Sequence, residues 1–211
     1  SRLLANTING ALFLVEAGSE SPRRIDIDPP GPTDAAISPD GTRIAYSVNT
    51  LGGIDSNDIW VVSTHGGHAK RVTDQPFLQH FPVWSPDGEE IYYLSGRGGQ
   101  THDLWSVRSD GRSASLRLGK HTYNFEPTVS TKGDIVFSSN QRGDYDLWIL
   151  QAGAGPEAPR RLTTNPAYDG QPSFSPDGSQ IVFVSRREGS GLWIHDLATD
   201  HDTRLPVEGE V

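Results

Sequence analysis

Seven histidines, 27 acidic side chains and many serines give this 211-residue chain the raw material for hydrolytic or metal chemistry. Their spacing decides what they can do. His65 and His68 stand in "STHGGHAK", where Gly-Gly suits a tight hairpin, and His201 occupies a similar place later, so all three read as solvated turn residues. His195 falls inside an apolar run and reads as structural. His80, His102 and His121 sit on connections expected at one common end of the fold, where three imidazoles could hold a transition metal; exposed loop histidines are the plainer reading. Asp34, Glu126 and Asp169 recur at matching places and, if they converge, would repel one another unless Ca2+ or a basic or amide-rich partner offsets them. The Arg-Gly-Asp of "RGDYD" (142–146) reads as a loop, with Asp146 bonding nearby backbone. No Gly-x-Ser-x-Gly elbow for a nucleophilic serine occurs, and there is no cysteine for thiolate chemistry. Catalytic residues are therefore not expected.

The elements that must position these groups come from a repeat. Ser-Pro-Asp-Gly occurs at Ser38, Ser85 and Ser175, with a degenerate copy at Ser130, giving spacings of 47, 45 and 45 residues. Each copy is followed by an apolar run with a tryptophan, Trp60, Trp105, Trp148 and Trp193, and then by "KRVT", "LRL", "RRLT" or "TRL". Within a unit, "RIAYS", "DIWVV" and "QIVFVS" follow strand patterning, with Gly, Asp and Asn between them. Proline fixes one dihedral, Asp can bond the turn backbone, and Gly takes the left-handed position, so the phrase is a tight reversal between two strands. Four antiparallel strands at this period predict an all-β fold, a β-propeller of four-stranded blades. The expected blades are 31–76, 77–122, 123–166 and 167–205, with a fifth made from 1–30 plus 206–211. Pairing of the N- and C-terminal strands would close the ring, and six blades is the alternative. The tryptophans are expected at equivalent positions, packed between blades.

Variation between units points to a site. Just before the first strand of each unit stand "GPTDAAIS", "LQHFPVWS", "YNFEPTVS" and "YDGQPSFS". These offer Asp34, His80, Phe81, Asn124, Glu126, Asp169 and Gln171, with Tyr123 and Tyr168 at the rim. Aromatics beside carboxylates and amides on a rigid scaffold suit a binding surface at the mouth of the channel. The net charge of −9 offers no basic face for nucleic acid, and no apolar stretch is long enough to span a membrane. A monomer without a cofactor is expected, Ca2+ being the one ion the carboxylates would suit.

"WSPDG…IYYLSGRGG…HDLWSVR" and "FSPDG…IVFVSRREG…LWIHD" resemble the WD40-like PD40 repeats of TolB-type β-propellers over nearly the whole chain. The resemblance implies a non-enzymatic module that recognises a protein or peptide at the channel mouth, in the periplasm or another extracytoplasmic space. It also extends to the propellers of prolyl-oligopeptidase-type proteases, whose nucleophile lies on a separate domain, and to oligogalacturonate-lyase-type propellers, which use a histidine-held metal. An accessory domain of a larger protein is a further alternative. The absence of an initiating Met and of a leader fits an excised or processed chain.

Overall fold

The computed structural model describes residues 2–6, 10–49, 57–75, 77–96, 101–119, 122–155 and 159–206. The first sheet contains β1 (Arg2–Asn6), β2 (Leu12–Glu16) and β3 (Arg23–Ile25). A parallel pair that the sequence does not announce joins β4 (Ile27–Asp28) to β8 (Gly67–His68). Four four-stranded sheets make up the remainder. The first has β5 (Asp34–Ile37), β6 (Arg43–Asn49), β7 (Asn57–Ser63) and β9 (Lys70–Arg71). The second has β10 (Gln79–Trp84), β11 (Glu90–Ser95), β12 (Asp103–Arg108) and β13 (Ser115–Leu118). The third has β14 (Asn124–Val129), β15 (Ile135–Arg142), β16 (Asp144–Leu150) and β17 (Arg160–Arg161). The fourth has β18 (Asp169–Phe174), β19 (Gln180–Ser185), β20 (Gly191–Asp196) and β21 (His201–Arg204). Residues 207–211, expected to help complete the first sheet, lie outside the described residues, as does His121.

The Ser-Pro-Asp-Gly reversals work through side chains as well as backbone. Ser38 Oγ donates to Asp40 Oδ1 at 2.5 Å and accepts the Arg43 N–H at 2.9 Å, while Asp40 also accepts the Thr42 N–H. Gly41 has φ 71°, the left-handed value that glycine adopts without a Cβ penalty. Ser85 with Asp87, and Ser175 with Asp177, repeat the pattern. These bonds favour the ionised carboxylate: the serine hydroxyl, then the turn amide, hold Asp40 and Asp177 down to about 2. In the degenerate copy Asp134 serves from four residues after Ser130, donating its own N–H to Ser130 Oγ.

A second repeated device ties the third strand to the fourth. Asp58 is buried and pairs with Arg71 at 2.6 Å, and Thr73 Oγ1 donates to it while accepting the Ile59 N–H. Asp146 pairs with Arg161 at 2.5 Å, and Thr163 accepts the Leu147 N–H. This corrects the expectation that Asp146 bonds backbone: it faces a guanidinium on the neighbouring strand. The repeated Asp-x-Trp and Arg-x-Thr phrases are therefore two halves of one buried contact.

The chain divides into two compact units, Ser1–Gly99 with Leu104–Leu116, and Gln100–Asp103 with Arg117–Val211. In the first unit, Leu12, Leu14 and Ile25 of the first sheet pack on Ile44, Tyr46 and Val62. Ala45 and Ile59 on the opposite face meet Trp84, Ile91, Tyr93 and Val107. In the second, Val136, Leu147 and Ile149 meet Ile181 and Phe183. Trp60, Trp148 and Trp193 take equivalent registers, opposite Tyr46, Phe137 and Phe183 on one side and Arg71, Arg161 and Arg204 on the other. Trp148 is buried, whereas Trp60, Trp105 and Trp193 are half-buried against their clusters.

Candidate functional site

The first strands of three sheets share a feature that the sequence reading missed. β10, β14 and β18 each break register in the middle, between His80 and Val83, Phe125 and Thr128, and Gly170 and Ser173. In each break the residue before proline has positive φ: Phe81 at 52°, Glu126 at 53° and Gln171 at 54°. A left-handed conformation costs an L-residue about 1–2 kcal/mol. Bulges of this kind re-aim a side chain, and backbone strain of this kind collects at functional positions. β5, which lacks that proline, runs in unbroken register from Asp34 to Ile37. The sequence signal was the residue–proline pair in "HFPV", "FEPT" and "GQPS", which the sequence places just before each first strand and the structure places within it.

The bulges carry two bonds between neighbouring sheets. In the first unit Asp34 Oδ2 accepts the Phe81 N–H at 3.4 Å and the Ser47 hydroxyl at 2.8 Å. In the second unit Glu126 Oε2 accepts the Gln171 N–H at 2.8 Å. Asp169 is fully buried and paired with Arg187 at 2.6 Å, and Arg187 also reaches Asp202 at 2.7 Å. Asp34, Glu126 and Asp169, expected to converge, each have a donor within their own unit.

Several other expected site residues are structural in placement. Asn124 is fully buried and donates to the His102 carbonyl at 2.6 Å. His80 is buried, with its ring 4.7 Å from Phe81. His102 is half-buried against Tyr123 and Phe125, and burial lowers its pKa, so its ring is neutral. His195 is buried with Nδ1 2.8 Å from Asp202 Oδ1. Among the described residues no group of three or more His, Asp or Glu side chains is arranged to hold a metal.

What the second unit does assemble is a row of half-buried rings. Tyr123 stacks parallel to Phe125 at 6.4 Å, Phe125 lies 5.8 Å from Tyr145, and Tyr145 lies 5.9 Å from Tyr168. The exposed Arg186 guanidinium covers Tyr168 at 5.0 Å. Burial raises the pKa of Tyr168, and the negative charge of the Glu126 carboxylate adds to the rise. Gly170 makes this placement possible: a Cβ there would come within 2.1 Å of the Tyr168 hydroxyl. Tyr123, Tyr168 and Glu126 were legible as candidates; Phe125, Tyr145, Gly170 and Arg186 were not.

The family model described as the TolB beta propeller domain matches residues 28–143. The chain belongs to the TolB β-propeller domain family. A solved TolB-type structure from Agrobacterium tumefaciens superposes with a TM-score of 0.84 at 25% identity, over 96% of this chain and 76% of that one. A protein TolB homolog of Chlorobium luteolum is 29% identical over 75% of this chain and 35% of its own length. The uncharacterized peptidase YuxL of Bacillus subtilis is 33% identical over 72% of this chain and 21% of its own length. This TolB-family chain thus spans about a fifth to a third of those two relatives.

Proposed function

We propose that this chain is a non-enzymatic propeller module that recognises a protein or peptide with the loops and bulges leading into the first strands of its sheets. The observation that carries the reading is the triple bulge. Three sheets hold the residue before proline in the same strained conformation, yet fill it with Phe81, Glu126 and Gln171. A scaffold that needed only the bend would use glycine or asparagine there, at lower cost. In the first unit Asp34 and His80 adjoin Phe81, and in the second Tyr123, Asn124, Tyr168 and Asp169 flank Glu126 and Gln171 in the chain; these residues belong to the proposed surface. The five-bladed closed ring with blade boundaries as read from the repeats, the channel mouth as the binding place, and an extracytoplasmic, periplasmic setting belong to the same reading. The match to the protein TolB homolog of Chlorobium luteolum supports it.

A photo-reactive residue placed at 81, 126 or 171 tests this. Purified chain carrying it should form a discrete adduct with one envelope polypeptide of the source organism, and the purified polypeptide should reproduce the adduct. Adducts formed equally from exposed control positions 63 and 200 would overturn the reading. A second reading, the propeller of a longer peptidase, is favoured by the YuxL match. Peptide hydrolysis by the full-length natural chain would select it.

A further inference from the structure

The ring row in the second unit has a chemistry more specific than general protein binding. We infer that Tyr145 and Tyr168, with Phe125 and Glu126, form a docking platform for an extended basic segment of a partner protein, whose lysine or arginine side chain takes the tyrosine face that Arg186 now covers. This inference rests on the protein-recognition reading above and names the partner's chemistry.

Three observations point to a cation. The Tyr168 face already holds one: the Arg186 guanidinium sits 5.0 Å from the ring centroid, on an exposed side chain that makes no ion pair among the described residues. An aromatic face attracts a cation through its quadrupole, so an incoming Lys or Arg can replace this internal one. The Glu126 carboxylate, which accepts the Gln171 N–H three residues after Tyr168, and the exposed Asp144, which adjoins Tyr145 in the chain, add negative charge to the row. The chain as a whole carries −9, which draws a basic segment toward it and repels an acidic one.

The spacing points to an extended chain. Successive rings are 6.4, 5.8 and 5.9 Å apart. Alternate residues of an extended strand lie about 6.6 Å apart on one face. A segment with basic or apolar residues at every second position therefore meets one ring per side chain. The platform is preorganised. Gly170 leaves the room that Tyr168 fills, and the backbone bond from Arg186 N–H to the Tyr168 carbonyl, at 2.9 Å, fixes the two elements together.

The test uses the whole chain and a labelled peptide alternating lysine with threonine, with analogues in which norleucine or glutamate replaces every lysine. Binding is read by fluorescence anisotropy at low and at physiological salt. The lysine peptide should bind, the norleucine peptide weakly, and the glutamate peptide not at all. Tyr168→Leu and Tyr145→Leu should weaken binding, Tyr145→Phe should retain it, and Glu126→Gln should reduce both affinity and its salt dependence. Arg186→Ala should tighten binding by about two- to five-fold, because it frees the ring face. Circular dichroism melts confirm that each variant is folded. Equal binding of the lysine and norleucine peptides, or weaker binding by Arg186→Ala, overturns the inference. So does tyrosine-dependent binding of a neutral oligosaccharide without binding of the peptide. If cross-links at 81, 126 and 171 still form while no lysine peptide binds, this inference fails and protein recognition stands. If the lysine peptide binds but those cross-links do not form, the earlier reading fails at the bulges and the row remains a cation platform.

Discussion

Replacing Gly170 with alanine probes the platform with a single methyl group. The new Cβ would lie 2.1 Å from the Tyr168 hydroxyl oxygen and 2.4 Å from Cζ, against an ordinary contact of 3.4 Å or more. The ring must therefore move by more than about 1 Å from its place beside Tyr145 and Arg186. Moving it forfeits a half-exposed cation–π contact with Arg186, about 0.5–1 kcal/mol, and an aromatic pair with Tyr145, about 0.5–1.5 kcal/mol. Against this, alanine restricts the unfolded chain and returns about 0.4–1 kcal/mol. The net expectation is a loss of up to about 2 kcal/mol, with a fall in Tm of about 2–4 °C per kcal/mol for a chain of this size. A double-mutant cycle isolates the cause. In a Tyr168→Ala background the obstacle is gone, so Gly170→Ala should become neutral or slightly stabilising in denaturant melts. An equal loss in both backgrounds would refute the reasoning, because the cost would then lie in the backbone of β18 and not in the tyrosine.

Other outcomes follow from the same geometry. Gln171→Gly should leave Tm unchanged or raise it, since it relieves a φ of 54°, whereas Ser173→Gly, exposed on the same strand, should cost about 0.5–1 kcal/mol; equal losses would mean that position 171 is not strained. Trp148→Ala should cost about 3–5 kcal/mol, as for other buried aromatics, with a smaller loss for the half-buried Trp60, both read from urea melts. Lowering pH from 3.8 toward 2 should remove the contribution of Asp40 and Asp177, whose folded pKa is depressed, so stability present above 3.8 is lost across that window. Asp58 and Asp146 run the other way. Burial raises them despite Arg71 and Arg161, so the folded state binds protons more readily and their contribution improves as pH falls. Asp40→Asn with Asp177→Asn should flatten the acid limb of a Tm-versus-pH profile; an unchanged limb would exclude these turns as its origin.

The sequence by itself determined the strands and the turns, because both are local. Ser-Pro-Asp-Gly closes its bonds within six residues, and alternation of apolar side chains fixes which face of each strand is covered. It also marked Glu126, Tyr123 and Tyr168 as chemically unlike their counterparts in other units. Only the tertiary structure decided which polar groups remain available. Asp169 looks like a ligand-facing carboxylate in sequence, but Arg187, 18 residues away, neutralises it. Asn124 looks like a binding amide, yet its donor is used on the carbonyl of His102, 22 residues earlier. Tyr145, which lies between two aspartates at the start of β16, joins Phe125 and Tyr168 only when sheets from different repeats stack. Such partners are set by distances in space between residues far apart in the chain, and no spacing along one repeat encodes them.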